Sequence, residues 1–337
     1  MSEDVILLAH GGGGLLTHAL IRDLFLRHLD NPVLAAQEDA AVVGMPGARL
    51  AFTTDSFVVS PLFFPGGDIG RLAVCGTVND LAMAGATPRH LGAAFIIEEG
   101  LPYATLERVV VSMAETAREA GVTVVAGDTK VVGRGGADGL FITTSGIGAL
   151  PAGEALGVGR LRPGDRLLVS GPVGDHGLAV LIAREGLPLR SRLESDCAPL
   201  GGLVAALLDA CPGHVRCLRD PTRGGLAATL NEWAAGAGLG MAIDEGAVPV
   251  RREVRAACEM LGLDPLHAAC EGRLVAAVAP GAAERALGAL RGHPLGAGAQ
   301  IIGEVTAEHP GRVVLRTALG ARRLLEMPAG DLLSRIC

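Results

Sequence analysis

The chain is almost without lysine. Of its 29 Lys and Arg residues, only Lys130 is a lysine. With Ala, Gly and Arg abundant, this reads as a compositional bias toward arginine. A position that keeps lysine against such a bias needs a compact ammonium in place of a planar guanidinium, the alternative being chance survival at a surface. Aromatic residues make up 3%, so the core has to be built from Ala, Val, Leu and Ile. No apolar run reaches the roughly 18 residues of a membrane span. The start, Met1-Ser2-Glu3-Asp4, lacks the basic residues that open a signal peptide. Together these point to a soluble, cytoplasmic protein. The seven cysteines are odd in number and contain no C-x-x-C pair, so neither a disulfide framework nor a standard zinc site is signalled. A Walker A loop needs G-K-[ST], and the single lysine follows Thr129, which excludes it. No G-x-G-x-x-G follows a strand pattern, which argues against a Rossmann dinucleotide site. A net charge of −7 argues against nucleic acid as the main partner.

What is present describes a folded, two-domain protein. A length of 337 residues corresponds to about two domains. Hydrophobic residues reach 49% and mean hydropathy is +0.40, which excludes disorder as the main state. The 49 glycines are about twice the usual share but follow no G-X-Y period. In the first half, 5–9, 40–43, 50–53, 91–97, 122–126 and 140–147 read as strands, 122–126 as a buried one. A glycine loop at 11–14 precedes a helical pattern over 15–29. Residues 68–86 read as a largely buried helix. Leu106, Val109, Val110, Met113 and Ala117 recur at helical spacing. A Pro- and Gly-punctuated stretch over 151–165 is the candidate domain boundary. The second half repeats the grammar, with strands at 166–170, 274–278 and 301–305 and helices at 176–184, 200–210, 222–235 and 282–290. The expectation is an α/β (α+β) chain of two related domains.

The chemistry-bearing residues are carboxylates at strand ends, in loops and in one apolar helix. They are Asp39, Asp55, Asp80 (preceded by Asn79) and Asp128, the last in Gly127-Asp128-Thr129-Lys130. Buried carboxylates need cations. Hard oxygen donors suit Mg²⁺, which in turn suits phosphates, with Lys130 as a phosphate ligand. The alternative is that each Asp caps a helix or turn. Asp220-Pro221-Thr222-Arg223-Gly224-Gly225 opens a helix whose amides and Arg223 can hold an anion; an ordinary N-cap is the alternative. Glu271, ahead of a strand, is a ligand or base, and Gly174-Asp175-His176-Gly177 is by default a turn. Six cysteines read as small buried hydrophobes, and the seventh, Cys337, is the last residue and an exposed thiol.

These motifs together resemble the ATP-binding superfamily of aminoimidazole ribonucleotide synthetase, which includes selenophosphate synthetase and thiamine-monophosphate kinase. Within it the chain is most similar to the HypE family of hydrogenase-maturation carbamoyl dehydratases. The resemblance runs from residue 6 to 337. It adds the start His10-Gly11-Gly12-Gly13-Gly14, the segment Pro61-Leu62-Phe63-Phe64-Pro65-Gly66-Gly67 and the ending Arg335-Ile336-Cys337, with Ser334 where the family usually has Pro.

The resemblance implies a homodimer of two PurM-like domains, each a mixed sheet with helices packed on one side. The implied division is a glycine-rich segment and helix (1–30), an ATP/Mg-binding and dimerisation domain (31–155), a second PurM-like domain (156–325) and a mobile tail (326–337). It implies ATP and Mg²⁺ beside the acidic motifs. Asp39, Asp55, Asp80 and Asp128 would hold metal, and Asn79, Thr129, Lys130, His176, Asp220, Arg223 and Gly224 would join the Asp residues at the nucleotide. Asp80, Lys130, Glu271 (as base) and Cys337 would carry the catalysis. The implied reaction is carbon–oxygen lysis: a carbamoyl group placed on Cys337 by HypF is dehydrated to a thiocyanate while ATP gives ADP and phosphate. The cyano group then passes to iron on the HypC–HypD complex, as a cyanide ligand of the hydrogenase Fe(CN)2CO centre. Two alternatives remain at this stage. One is another ATP-dependent synthetase or kinase of the superfamily, although the selenophosphate enzyme needs a nucleophilic residue that this glycine loop lacks. The other is a non-catalytic carrier or scaffold with a docking tail.

Overall fold

The computed structural model describes residues 14–20, 22, 37–38, 40–45, 48–151, 155–187, 193–317, 319–328 and 333–337. The strand expected at 5–9, His10 to Gly13, Asp39 and most of the distal half of the 15–29 helix lie outside the described residues. What is described of that helix is α1 (Leu15–Leu20).

The first domain is a five-stranded sheet in the order β1-β2-β7-β5-β6. Its strands are β1 (Ala41–Met45), β2 (Ala48–Phe57), β5 (Thr87–Glu98), β6 (Thr123–Val132) and β7 (Leu140–Ala149). Only β5 and β6 run parallel. Strict alternation along β7 decides its two faces: Leu140, Ile142 and Thr144 are buried, whereas Ile147 is exposed. The buried face carries α2 (Ile69–Met83) and α3 (Tyr103–Glu119); among the described residues the other face has no helix on it. Between β2 and α2 a small hairpin pairs β3 (Phe63–Phe64) with β4 (Gly67–Asp68). Asp68 then starts α2 by accepting from the amides of Gly70 (2.7 Å) and Arg71 (3.1 Å), an N-cap that satisfies donors the helix cannot.

Helix α2 is apolar on every side, as a helix must be when both flanks are covered. One flank packs into a core cluster with Phe57, Leu91, Val109 and Ile142. Ala82 and Met83, at its end, join Leu168, Leu200 and Leu203 of the second domain. The reading of 122–126 as a buried strand is corrected. Val122 is buried, but β6 is exposed along nearly its whole length. It is an edge strand, and an edge offers no neighbour to cover its outer row.

The second domain is a seven-stranded sheet in the order β14-β13-β10-β12-β8-β11-β9. Its strands are β8 (Arg166–Val169), β9 (Val215–Arg219), β10 (Gly240–Asp244), β11 (Val275–Val278), β12 (Gln300–Thr306), β13 (Val313–Arg316) and β14 (Arg322–Leu324). Its helices are α4 (Asp175–Glu185), α5 (Gly201–Ala210), α6 (Gly225–Ala237), α7 (Arg252–Leu261) and α8 (Ala283–Arg291). Again one pair, β10 with β13, is parallel and the rest are antiparallel. The first sheet follows the expected arrangement of helices on one side, but the second does not. Leu167 and Val169 pack with Leu226 and Trp233 of α6, whereas Leu168 packs with Leu203 of α5 and Leu290 of α8. With both faces covered, β8 and β11 read as unbroken apolar runs. Strands β9, β10, β13 and β14 and helix α7 were not legible in the periodicity. The strands are three to five residues long, and α7 buries only Val254, Ala257 and Cys258.

Candidate active site at the domain joint

Strand β2 points Thr53, Asp55 and Phe57 toward α2. Asp80, in the last turn of α2, accepts from the Thr53 hydroxyl at 2.8 Å. The Asp55 carboxyl is hydrogen-bonded to that of Asp80. Two carboxyls in such contact repel each other when both are ionised, which disfavours the doubly charged pair unless a cation joins it. Burial raises the pKa of Asp55, and the Asp80 hydrogen bond and the charge of Arg223 pull it part of the way back.

Arg223 comes from the turn before α6. The expected helix over 222–235 begins at Gly225, because Gly224 and Gly225 both take left-handed backbone (φ +76° and +61°). A Cβ on Gly225 would stand 2.6 Å from the Ala268 carbonyl oxygen, so this approach requires glycine. The Pro221 carbonyl accepts from Cys270 N–H at 3.0 Å, which ties the Arg223 turn to Glu271. Glu271 is 2% exposed. Burial, reinforced by Cys197, Asp220, Asp196 and Asp55, pushes its pKa well above the usual carboxylate range. Its Oε1 has no hydrogen-bond partner among the described residues. Asp55, Asp80, Asp220, Arg223 and Glu271 thus lie within electrostatic reach of one another where the two domains meet.

Other expected site residues stand elsewhere. Asp128 and Lys130 pair directly with Ala94 and Ile96 of β5, on the open face of the first sheet and away from Asp55. There the Lys130 ammonium contacts the Asp128 carboxylate at 2.8 Å with both side chains mostly exposed, and Thr129 N–H donates to the same carboxylate. Of the three expected Asp residues that are described, Asp55 and Asp80 meet and Asp128 stands apart; Asp39 lies outside the described residues. Among the described residues no group of three or more His, Cys, Asp or Glu is placed to cage a metal.

Asn79, expected at the nucleotide, is buried and holds the domains together. Its Nδ2 donates to the carbonyls of Ala198 (3.1 Å) and Glu271 (3.3 Å), and its Oδ1 accepts from Leu200 N–H at 2.7 Å. His176, expected there too, is buried with both ring nitrogens engaged, Nδ1 by Ser195 Oγ (2.7 Å) and Nε2 by the Ile336 carbonyl (2.6 Å). Neither side chain has a group left for a ligand in this conformation.

The tail is docked. Val58 N–H donates to the Cys337 carbonyl and Ser60 N–H to the Arg335 carbonyl, each at 3.1 Å, so the tail ends beside the residues that follow β2. Arg335 donates from Nε to the Val58 carbonyl at 3.0 Å and is ion-paired with Asp138. Ile336 is 4% exposed, and Cys337, expected to be exposed, is half-buried against the same core. The other six cysteines are buried, as expected.

Sequence reasoning passed over the segment 193–200. Asp196 accepts from Glu271 N–H (3.2 Å) and Gly272 N–H (3.3 Å) and lies 3.6 Å from Arg273. It therefore holds the Glu271 loop in place. The carboxylates Glu194 and Asp196 in the run Leu193-Glu194-Ser195-Asp196-Cys197 were the signal, and two such residues do not stand out in a chain with 36 acidic residues.

Two mixed sheets meeting at an acidic joint define a class. Residues 37–150 match the AIR synthase related N-terminal domain, and residues 162–316 match the C-terminal domain of the same family. The chain is a two-domain member of that family. Within it, the chain belongs to the carbamoyl dehydratase HypE family. It is 53% identical to carbamoyl dehydratase HypE of Rhodobacter capsulatus over 339 residues, covering 100% of this chain and 99% of that one. The HypE–HypF complex contains a chain that matches with TM-score 0.88 at 49% identity, covering 92% of this chain and 100% of that one. HypE crystallised in complex with ATP matches with TM-score 0.83 at 51% identity, covering 99% and 100%.

Proposed function

We propose that this chain dehydrates a carbamoyl group carried on Cys337, converting an S-carboxamide to an S-thiocyanate while ATP becomes ADP and phosphate. The product is the source of the cyanide ligands of the [NiFe]-hydrogenase Fe(CN)2CO centre. The observation that carries this reading is the docked tail: its last residue bonds Val58, three residues beyond Asp55. The tail thus returns a terminal thiol to the end of the strand that supplies Asp55.

The chemistry follows from the groups present. The amide oxygen of the S-carboxamide is a poor leaving group. Taking the γ-phosphoryl group of ATP makes it a good one, because the C–O bond then breaks to release phosphate. The nitrogen gives up its two protons, one of which ends on phosphate and the other in solvent, and the C≡N bond forms. Glu271 is the base. A carboxylate whose pKa is raised by burial is a stronger base than an exposed one, and its unpartnered Oε1 is available to a substrate N–H. The donor set at Asp55 and Asp80 fits Mg²⁺, which usually takes one or two carboxylates and substrate phosphate oxygens, and a cation there would relieve the repulsion between the two carboxyls. Mg²⁺ held there would neutralise charge on the phosphates, with Arg223 beside it.

A homodimer accounts for the other half of the expected site. The open face of the first sheet exposes Phe52, Ile96 and Ile147 at 40% or more, among the hydroxyl pairs Thr54–Ser145 and Ser56–Thr143. Five strands with no helix on one face among the described residues are covered economically by a second copy. Asp128 and Lys130 lie on that face, with Thr129 between them on the same edge strand, so in a dimer they belong to or border the interface, where they can serve a nucleotide without meeting Asp55 of their own chain. Asp39 remains part of the proposed metal set. The HypF carbamoyltransferase would load Cys337, the HypC–HypD complex would receive the cyano group, and the compartment would be the cytoplasm. Among the described residues no helix is long and apolar enough to cross a membrane.

The test is the intact mass after incubation with HypF, carbamoyl phosphate and ATP. The chain should gain about 43 Da, a carbamoyl group held on a nucleophile, and then lose about 18 Da as water is removed. Cys337→Ala should remain folded and show neither shift. Both shifts in the Ala variant place the carrier elsewhere. A gain without the later loss makes the chain a carrier and not a dehydratase.

A further inference from the structure

Two motifs have no part in the chemistry above: the segment 61–67 and the turn Gly174-Asp175-His176-Gly177. The structure brings them together around the tail. The His176 ring, at the start of α4, is fully buried. The Phe64 ring meets it edge-on, with centroids 5.4 Å apart and planes at 88°. Pro65 accepts from Ser195 N–H at 2.8 Å, and a Cβ on Gly66 (φ +87°) would stand 2.7 Å from Ser195 backbone atoms. The segment 61–67 therefore fixes Ser195, and Ser195 reaches His176. One residue on, a Cβ on Gly177 would lie 3.1 Å from the Leu333 side chain, so this glycine makes room for the tail.

The protonation of the ring follows from its partners. A carbonyl oxygen only accepts, so Nε2 carries the hydrogen that reaches Ile336. Nδ1 is then an acceptor and takes the Ser195 hydroxyl proton. Ser195 Oγ in turn accepts from Cys197 N–H at 3.0 Å. Every donor in this chain has its acceptor, and the ring is neutral throughout. Burial, which lowers the pKa of His176, acts in the same sense. Arg184 adds a hydrogen bond to the Ser334 carbonyl. Against these contacts stands Arg335 in left-handed backbone (φ +52°), an uncommon state for a residue with a Cβ. The tail is held at a cost that undocking relieves, which suits a segment that must leave and return.

We propose that His176 is a positioning residue for the tail: as a neutral imidazole oriented by Ser195, it donates to the Ile336 carbonyl and so holds Cys337 in the docked position. The purpose of this device rests on the reading of Cys337 as the carrier; its geometry does not.

The experiment is alkylation of the full-length chain by iodoacetamide, without nucleotide, followed by the mass of the C-terminal peptide. The other cysteines are buried, so this peptide reports tail opening. His176→Leu keeps the ring's bulk and removes the donor, and should speed labelling of Cys337 about tenfold, the effect of losing one buried hydrogen bond. His176→Gln keeps an N–H near the Nε2 position and should stay within about threefold of wild type. Ser195→Ala removes the orienting hydroxyl and should speed labelling severalfold; it carries the test if the Leu variant does not fold. Labelling at the wild-type rate in the Leu and Ala variants, or an equal rise in Leu and Gln, overturns the proposal. The outcome does not depend on carbamoyl chemistry. Failure of the mass experiment with this labelling pattern intact removes the carrier reading alone.

Discussion

Asp55 and Asp80 are the residues whose pairing says most about the site. Their carboxyls touch, and neither arrangement of the pair is comfortable without a cation. Asp55 is held above its ordinary value of 3.8, so the folded chain binds more protons here than the unfolded chain. This group therefore lowers stability as pH rises past that ordinary value. A divalent cation reverses the effect. Asp80→Asn should leave the unliganded fold as stable as wild type near neutral pH, or more so, because the pair no longer competes for one proton. It should also weaken Mg²⁺-dependent binding of a non-hydrolysable ATP analogue at least tenfold, roughly 1.4 kcal/mol. Titration calorimetry with and without Mg²⁺ reads both affinities, and an unchanged Mg²⁺ dependence would remove Asp80 from the metal set. The types of these residues were legible because a carboxylate inside an apolar helix is conspicuous. Which carboxylates meet was not, because Asp55 and Asp128 sit on opposite faces of a sheet, and only pairing register decides faces.

Among the elements, α2 unites the fold and the site. Its apolar run was readable as a buried helix within a few residues of its observed bounds, Ile69–Met83. One of its polar residues, Asn79, was read as a ligand, whereas its side-chain hydrogen bonds go to backbone of the second domain. A buried amide with three partners is expensive to remove, because Leu200 N–H is then left buried and unpaired. Asn79→Ala should destabilise the chain by about 2–4 kcal/mol. The urea unfolding midpoint measures this, and a change below about 0.5 kcal/mol, the range of a surface substitution, would show that the amide is not a joint. Strand β6 shows the reverse error. Val122, Val124 and Val125 look like core residues by type, yet Val125 is 62% exposed. Hydrophobicity by itself cannot distinguish a covered strand from an edge.

At the scale of the whole molecule, the uncovered face of the first sheet calls for a partner. Phe52 and Ile147 are directly opposite each other across β2 and β7, so one charge placed there faces apolar surface on both strands. Ile147→Glu should convert a dimer to a monomer in sedimentation velocity with the fold retained, since the residue is 40% exposed in the single chain and its substitution opens no cavity. A wild-type chain that sediments as a monomer at micromolar concentration removes the dimer.

The sequence by itself determined the class of fold, the two-domain division, the family and the identities of the chemical groups. All of these rest on local periodicity and on motifs contiguous in the chain. The tertiary structure decided which motifs meet: Asp55 with Asp80 and Arg223, His176 with Ile336, and Lys130 on the far face. It also placed helices on both faces of the second sheet and drew the terminal thiol inward. Partners dozens to hundreds of residues apart are set by sheet order, register and the packing of one domain on the other, and no spacing within a single segment encodes them.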